Sequence, residues 1–276
     1  MPENELAKVN KTSFIPAELH DADERGVIWI WEQPRASSTY VLGVDTTVGI
    51  TGWTRELRTE EDAKIDNAVI QVLRVGKPDV QVAEFAAPID QYELAKYVNF
   101  LGLMYAGNSE EQQALACIEM NNGGWATQTE LINRYGYTNL PPWRQEGGIT
   151  PHITHKYGWY SNRSTRTDLW IMGMRHINAK LVKINSPWLV EEMTDCTWDN
   201  FLSMTARASY NSHDDRVVSL LISCWYAHEW SLELDHAPES APIQRMDQPD
   251  YQRSDMSYDE MISDANENFS RLTGDL

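Results

Sequence analysis

Apolar runs bounded by turn residues predict a set of short strands in the first half of the chain. Buried strands typically show four to eight consecutive apolar residues between such turns. The turn Gly76-Lys77-Pro78-Asp79 separates two of these runs and predicts a hairpin beside the first long strand. The predicted strands are Val27–Trp31, Tyr40–Asp45, Ala68–Val75, Val80–Ala86 and Ala114–Ile118.

Apolar residues at helical spacing predict five helices, most of them in the second half of the chain. Asp90 is a candidate N-cap, and Ser186-Pro187 has the N-cap and first-turn pattern of another helix. The stretch 136–163 is rich in Gly, Pro and aromatic residues and is expected to loop over the surface. We expect 46–66 to form an extended loop or a short exposed helix. The predicted helices cover 91–105, 125–135, 164–180, 187–195 and 214–229.

The ends of the chain differ in composition from its centre. The first 38 residues are polar and mixed, which predicts a lead-in arm with one strand. From 231 onward apolar periodicity is low, and 12 acidic residues face three basic ones between Glu229 and Leu276. Such a composition is typical of a disordered or loosely docked tail, and the alternative is a segment that binds a partner. We therefore expect an arm over 1–38, a folded domain over 39–230 and an acidic tail over 231–276.

Charge is unevenly distributed along the chain. The net charge of −18 disfavours a nucleic-acid partner at first sight, because affinity for phosphates comes from Lys and Arg. Residues 131–190, however, carry eight basic and two acidic side chains, a local net charge of +6. This basic segment is a candidate DNA-facing surface.

Cysteine content and hydropathy bear on the compartment. Cys117, Cys196 and Cys224 are widely spaced in apolar surroundings, which predicts reduced core residues rather than a zinc module or a disulfide framework. No apolar run reaches the roughly 18 residues of a membrane span, and the N-terminus lacks a signal-peptide pattern. The sequence predicts a soluble, cytosolic protein.

Carboxylates stand at the ends of three predicted elements. Asp45 and Glu119 each follow an apolar strand, and Asp214-Asp215 opens the last predicted helix. Carboxylates at the end of buried strands collect at one edge of a sheet, where they suit Mg²⁺ or Mn²⁺. Helix capping is the alternative role of the Asp pair. The pattern indicates metal-assisted phosphoryl chemistry.

Five motifs carry a resemblance to a known family. In their order and spacing over residues 40–230 they resemble the nuclease domain of the large terminase subunit of tailed bacteriophages. The order of predicted elements is similar to that of the ribonuclease H-like fold, so the resemblance implies an α/β protein with a ribonuclease H-like mixed β-sheet and flanking helices. The motifs are Tyr40–Asp45, Asp66–Ile70, Glu119–Gly124, Gly158-Trp159 with Thr165-Arg166 downstream, and His213–Val218.

The resemblance implies roles for individual residues. Asp45, Glu119 and Asp215 would be catalytic and would hold Mg²⁺ or Mn²⁺ as two ions, with Asp214 and Asp66 as further ligands. The expected activity is endonucleolytic cleavage of concatemeric viral DNA during genome packaging, in the host cytoplasm. Candidate DNA contacts are Arg163, Arg166, Lys156 and His213.

The chain also departs from the family. Large terminases carry a packaging ATPase, but this sequence has no phosphate-loop motif: Gln71 stands where Gly76-Lys77 would need a partner glycine. We therefore expect a nuclease domain separated from its ATPase, or the product of a split gene. Double-stranded DNA, a portal protein, the small terminase subunit and a packaging ATPase domain are the expected partners, with no membrane.

Other interpretations remain open at the level of sequence. The domain could be a non-catalytic docking module for the portal or the small terminase subunit, or a resolvase-type nuclease or a hybrid-specific ribonuclease on the same fold. His152 and His155 could be read as a metal pair, but no third soft ligand lies nearby, so surface or DNA-facing roles are favoured.

Overall fold

A computed structural model describes residues 27–47, 66–121, 123–145, 152–198, 206–208 and 213–236, with backbone alone at 143–145, 152–156, 197–198, 206–208 and 229–236. Contacts divide the chain into the units Met1–Asp235 and His236–Leu276. The first unit contains every described residue except His236.

The framework of the first unit is a six-stranded mixed sheet. The strands are β1 Ile28–Ile30, β2 Tyr40–Asp45, β3 Ala68–Arg74, β4 Asp79–Ala87, β5 Leu115–Ile118 and β8 Val182–Lys183. Five of them lie side by side in the order β1-β4-β3-β2-β5, and β8 pairs with the start of β4, before the part that pairs with β1. β2 runs parallel to β5, and β8 parallel to β4, whereas the β1–β4, β4–β3 and β3–β2 pairs are antiparallel.

The described residues form five helices that accompany this sheet, and the predicted caps are formed. The Asp90 side chain accepts a hydrogen bond from the Glu93 backbone amide. The Ser186 side chain accepts one from the Leu189 backbone amide, and Pro187 follows Ser186 as the first residue of that helix. Asn162 caps the third helix, which begins one residue earlier than predicted, through a capping box with Thr165. The helices are α1 Gln91–Met104, α2 Gly124–Tyr135, α3 Arg163–Asn178, α4 Pro187–Asp195 and α5 Asp215–His236.

The sheet is covered on both faces, as its continuous apolar strands require. Because side chains alternate along a strand, Leu42 and Val44 join the core that includes α1 and α2, whereas Val41 joins the core that includes α3, α4 and α5. The same alternation places Asp45 on the α5 side. Both faces of β2 are therefore buried, and its carboxylate is directed toward the last helix.

Two strand pairs and the end of one helix differ from the sequence-based predictions. The stretch 136–163 is not a surface loop throughout, because β6 (Pro142–Gln145) and β7 (His152–Tyr157) pair as an antiparallel ladder. The last helix continues to His236 instead of ending at Glu229. β9 (Cys196–Trp198) and β10 (Ala206–Ala208) form a second small ladder that the apolar pattern did not indicate. Of the predicted loop 46–66, residues 48–65 lie outside the described residues.

The cysteines lie in or beside the core, as the sequence predicts. All three cysteines are free; Cys117 and Cys224 are buried, and Cys196 is partly buried. Among the described residues, no helix combines the length and the apolar character needed to cross a membrane.

Candidate metal centre

The strand register brings two of the predicted carboxylates to one edge of the sheet. Val44 of β2 lies opposite Ile118 of β5 in a parallel pair, and the Glu119 amide donates to the Val44 carbonyl at 2.8 Å. Asp45 ends β2 and Glu119 follows β5, so the two carboxylates leave the carboxyl ends of neighbouring strands. The first half of the predicted site is thus built by the sheet alone.

The packing of α5 against β2 brings the third predicted element to the same edge. A Cβ atom on Gly43 would lie 2.1 Å from the Ser219 carbonyl oxygen, so the helix backbone rests directly on the strand. The Ser219 hydroxyl donates to the Gly43 carbonyl at 2.8 Å and accepts from the Gln71 amide at 3.1 Å. Asp215 lies one helical turn before Ser219, and Asp45 lies two residues after Gly43. The contact therefore sets the end of α5 beside the end of β2.

Asp45 and Glu119 form a buried carboxyl pair. Their relative exposures are only 7% and 4%. Burial is the main reason that the pKa of Asp45 is well above its ordinary value, and the adjacent Glu119 carboxyl and the negative charges of Asp215 and Asp214 raise it further. A buried pair of acids of this kind is stabilised when it takes up a proton or a cation.

Asp215 is held at the N-terminus of α5 beside a second group of ligands. Its carboxylate accepts from the Asn67 amide at 2.7 Å. The His213 ring lies 3.0 Å from Asp66 and 3.9 Å from Asp215, and one ligand atom from each of these three residues lies within 4.8 Å of the others. Burial raises the pKa of Asp215 to about 7, although the Asn67 hydrogen bond lowers it.

Asp214 is engaged by an arginine from α3. Arg166 contacts the Asp214 carboxylate at 2.5 Å, with both side chains about three-quarters buried. Burial lowers the pKa of Arg166, but the Asp214, Glu119 and Asp45 carboxylates outweigh burial and leave that pKa above its ordinary value. The guanidinium is therefore a fixed positive charge at the margin of the acidic group. It was predicted as a DNA contact, and the structure adds a pairing role that the sequence did not suggest.

A buried polar network of Arg216, Glu84 and Glu192 anchors the start of α5. Arg216 donates to Glu84 at 3.0 Å and to Glu192 at 3.2 Å. Glu192 also accepts from the Arg216 amide at 2.7 Å, which satisfies a free N–H of the helix. Burial raises the pKa of Glu192 to about 7, against the opposing effect of Arg216. This network fixes the residue that follows Asp215.

Backbone contacts fix Glu119 in turn. The Thr46 hydroxyl lies 3.1 Å from the Glu119 carbonyl and 2.7 Å from the Asn121 carbonyl. A Cβ atom on Gly124 would lie 1.8 Å from the Glu119 carbonyl oxygen, so only glycine fits at the start of α2. Trp159 forms a bridge with Glu119 beyond the end of β5. The strand end is thus held by residues from three segments.

The remaining predicted residues are placed as follows. Arg163 is exposed at the start of α3, three residues before Arg166. Lys156, His152 and His155 belong to β7, and their side chains lie outside the described residues. The structure thus brings Asp45, Glu119, Asp214, Asp215, Asp66, His213 and Arg166 to one edge of the sheet.

Sequence reasoning missed the supporting residues. The glycine at 43 and the serine at 219 gave no chemical signal, because their role depends on how a helix crosses a strand. Glu84 carried a usable one: it is a charge in the middle of strand β4, directly before Phe85, and its exposure is 1%. A charge at such a position requires a partner, and Arg216 supplies it.

The donor set fits a hard divalent cation. Carboxylate oxygens are the ligands that Mg²⁺ and Mn²⁺ take in proteins. Burial and, to a smaller extent, neighbouring acids raise the pKa values of Asp45 and Asp215, and a bound cation would offset both effects. Asp215 is close to Asp45 and also to the Asp66–His213 pair, so it stands between the two groups of possible ligands.

Comparison with solved structures places this fold among known proteins. The large terminase nuclease from thermophilic phage G20c with bound magnesium aligns with a TM-score of 0.52 and 18% identity, covering 73% of this chain and 88% of that chain. Its cobalt-bound form aligns with a TM-score of 0.52 and 17% identity over the same shares. The nuclease domain of the Thermus phage P74-26 large terminase aligns with a TM-score of 0.49 and 17% identity, covering 72% and 85%.

No protein-family model matches the sequence, and neither does any curated protein. At these identities the structural likeness establishes the fold. The chain is an α/β protein with the ribonuclease H-like fold. The magnesium-bound and cobalt-bound structures that share this fold with it are large terminase nucleases.

Proposed function

We propose that this protein is a metal-dependent endodeoxyribonuclease that cuts concatemeric viral DNA during genome packaging. The observation that carries the proposal is the buried pair of acids Asp45 and Glu119, with Asp214 and Asp215 close enough to raise the pKa of Asp45. Buried carboxylates without a cationic partner are costly, and they are kept where they serve chemistry. The likeness in fold to large terminase nucleases, one of them with bound magnesium, supports the same class of activity.

Asp45, Glu119 and Asp215 are proposed to hold two divalent ions, Mg²⁺ or Mn²⁺, with Asp214 and Asp66 at the margins. Bound there, the ions would activate a water for attack on the phosphodiester and neutralise charge on the leaving 3′ oxygen. Asp45 is the central ligand in this proposal because three of the other four acids, Glu119, Asp215 and Asp214, raise the pKa of its carboxyl group.

Asp215 rather than Asp214 is proposed as the principal ligand on α5. Arg166 already pairs with Asp214. Asp215 accepts a hydrogen bond from the Asn67 backbone N–H and faces His213 and Asp66. The Arg166–Asp214 pair would then hold the positive charge of Arg166 where a DNA phosphate approaches the carboxylates.

The basic segment 131–190 is proposed to hold the DNA backbone over this acidic edge. Arg163 and Arg166 begin α3 within that segment, and Arg166 already reaches the carboxylates. His213 and Lys156 are proposed as further contacts. Phosphate contacts carry no sequence information, so cleavage should be sequence-nonspecific.

In the packaging setting, the proposed partners are double-stranded DNA, a portal protein, the small terminase subunit and a packaging ATPase domain, and the proposed compartment is the host cytoplasm. These assignments extend the nuclease proposal by its likeness in fold to large terminase nucleases, and an assembly assay with the purified partners would test them separately.

Plasmid cleavage tests the nuclease proposal. Supercoiled plasmid should be nicked and linearised in Mg²⁺ or Mn²⁺ and left intact in EDTA. Linear duplex and a four-way junction should be compared in the same buffer, because a resolvase would prefer the junction. Cleavage that persists in EDTA, or no cleavage in either metal by a folded protein, contradicts the proposal.

A further inference from the structure

Two aromatic side chains are exposed at the same edge of the sheet as the carboxylates. Tyr92 and Trp125 are each 55% exposed, although large aromatic residues are mostly buried. Each is the second residue of its helix, Tyr92 in α1 and Trp125 in α2. The other exposed large apolar residues of the described chain are aliphatic: Leu103, Leu181 and Val190.

Trp125 is linked to the edge of the sheet that carries the carboxylates through its neighbour in the chain, Gly124. Gly124 packs against the Glu119 backbone so closely that a Cβ atom there would lie 1.8 Å from the Glu119 carbonyl oxygen. Trp125 follows directly, and its own carbonyl accepts from the Thr129 hydroxyl at 2.9 Å within the helix. The indole is therefore carried by a backbone segment that contacts a proposed metal ligand.

Tyr92 is tied to the same edge through Gln91. The Gln91 side chain donates to the Thr47 carbonyl at 2.9 Å, two residues beyond Asp45. The Thr127 hydroxyl of α2 donates to the Gln91 carbonyl at 3.3 Å, so the first turns of the two helices are in contact. The two exposed rings thus start from neighbouring helix ends, one beside each strand that carries a carboxylate.

We propose that Tyr92 and Trp125 form a stacking surface for unpaired DNA bases next to the point of cleavage. This inference rests on the proposed nuclease function and adds a substrate preference to it. Aromatic rings bind nucleic acid by stacking on exposed bases, whatever the sequence, and a paired base inside a duplex does not offer its face. The protein should therefore favour DNA that is frayed, gapped or single-stranded beside the scissile phosphate. The acidic site itself contributes no affinity for bases, so the rings supply a kind of contact that the carboxylates and arginines do not.

Binding of single strands tests this inference apart from cleavage. The ligands are a 20-nucleotide deoxythymidine strand and an abasic strand of equal length, which has the same phosphates without the bases. Affinity is measured in Ca²⁺, and strand integrity is checked on a denaturing gel. Trp125→Ala should weaken deoxythymidine binding by about fivefold to 150-fold and leave abasic binding unchanged, because stacking is worth about 1–3 kcal/mol per base.

Matched variants separate stacking from a loss of folding. Trp125→Phe keeps an aromatic face and should restore most of the affinity, and Tyr92→Ala should act in the same direction as Trp125→Ala. Leu103→Ala removes an equally exposed apolar side chain near the other end of α1 and should change nothing. Equal losses of affinity for the deoxythymidine and abasic strands, or no loss of affinity for the deoxythymidine strand, would overturn the inference. In the second case the exposed rings would contact a protein partner instead of DNA bases.

The outcomes also distinguish this inference from the function beneath it. A parent protein that cuts plasmid in Mg²⁺ while Trp125→Ala binds deoxythymidine normally refutes the stacking surface and leaves the nuclease intact. A parent protein that neither cuts nor binds any DNA refutes the proposed function, and the stacking surface with it.

Discussion

The Ser219 hydroxyl donates a hydrogen bond of 2.8 Å to the carbonyl oxygen of Gly43. The two residues are 176 positions apart in the chain, yet this contact decides where the acids of α5 lie relative to the acid of β2. A helix can approach a strand this closely only where the strand carries no side chain on that face. The site therefore depends on a glycine that contributes no chemistry to it.

Replacing that glycine should disturb both stability and activity. Gly43→Ala would place a methyl group 2.1 Å from the Ser219 carbonyl oxygen, which forces α5 away from β2. We expect the free energy of unfolding to fall by about 1–3 kcal/mol, as for other overpacked cores, and cleavage to fall as Asp215 moves from Asp45. Urea unfolding measures the first effect. Gly76→Ala, in a turn with its nearest contact at 3.3 Å, is the control and should change stability much less than Gly43→Ala.

Removing the charge of Asp45 should abolish cleavage and stabilise the metal-free protein. Asp45→Asn keeps the shape of the side chain but removes a buried charge that three other acids oppose. At pH 8 we expect a gain of about 1 kcal/mol or more, equivalent to about 2–4 °C in Tm per kcal/mol for a domain of this size. Thermal unfolding in EDTA and plasmid cleavage in Mg²⁺ are the two measurements. Asp168→Asn, at an exposed position on α3, should show neither effect.

If Asp45→Asn still cut at nearly the parent rate, Asp45 would not be a metal ligand. If it lost cleavage but also lost stability, the carboxylate would serve the fold rather than the metal.

Stability should depend on pH and metal together. The pKa of Asp215 is about 7 in the folded protein against 3.8 when solvated, so between pH 4 and 7 the folded state binds more protons than the unfolded state. The free energy of unfolding of the metal-free protein should therefore decrease as the pH rises from 4 to 7. The raised pKa of Asp45 contributes in the same direction. A divalent cation binds the deprotonated acids, so its stabilising effect should be larger at pH 8 than at pH 5.

Tm measured at both pH values with and without Mg²⁺ tests this dependence. A concentration of 100 times Kd should add about 2.7 kcal/mol at pH 8. A metal effect that is equal at both pH values, or larger at pH 5, would mean that the ion binds somewhere other than these carboxylates.

The two acids at the start of α5 should differ in importance. Asp215→Asn should abolish cleavage and weaken Mg²⁺ binding. Asp214→Asn should lower cleavage by less, because its carboxylate is paired with Arg166. Single-turnover cleavage rates over a metal titration distinguish a loss of metal affinity from a loss of chemistry. The opposite ranking would identify Asp214 as the principal ligand. The Arg166–Asp214 ion pair would then form only in the metal-free protein.

The arginines at the start of α3 should affect DNA binding in different ways. Arg163 is exposed, so Arg163→Ala should lower the slope of log affinity against log salt by about 0.9, the value for one phosphate contact. Arg166→Ala should do the same and should also alter metal binding, because it leaves Asp214 without its cation. Arg175→Ala, at the exposed far end of the same helix, is the control. An unchanged slope for Arg163→Ala would mean that this residue does not contact the backbone.

Much of the fold could be predicted because its signals are local. Tyr40–Asp45 is an apolar run, and Asp90 and Ser186 are caps whose partners lie three residues away. The stretch 136–163 was predicted wrongly for the same reason. Its Gly, Pro and aromatic residues favour a loop locally, whereas the pairing of β6 with β7 depends on residues up to 15 positions apart.

The sequence by itself determined the first five strands, the five described helices and the placing of an acid at the end of each element that builds the site, since these follow from periodicity and capping within a few residues. Tertiary structure alone decided which acids are buried together, and which partners they have. Arg166 meets Asp214 across 48 positions, and Arg216 meets Glu84 across 132. Such pairs form because sheet register and helix crossing bring distant segments together, and no local pattern of residues encodes a distance of that kind.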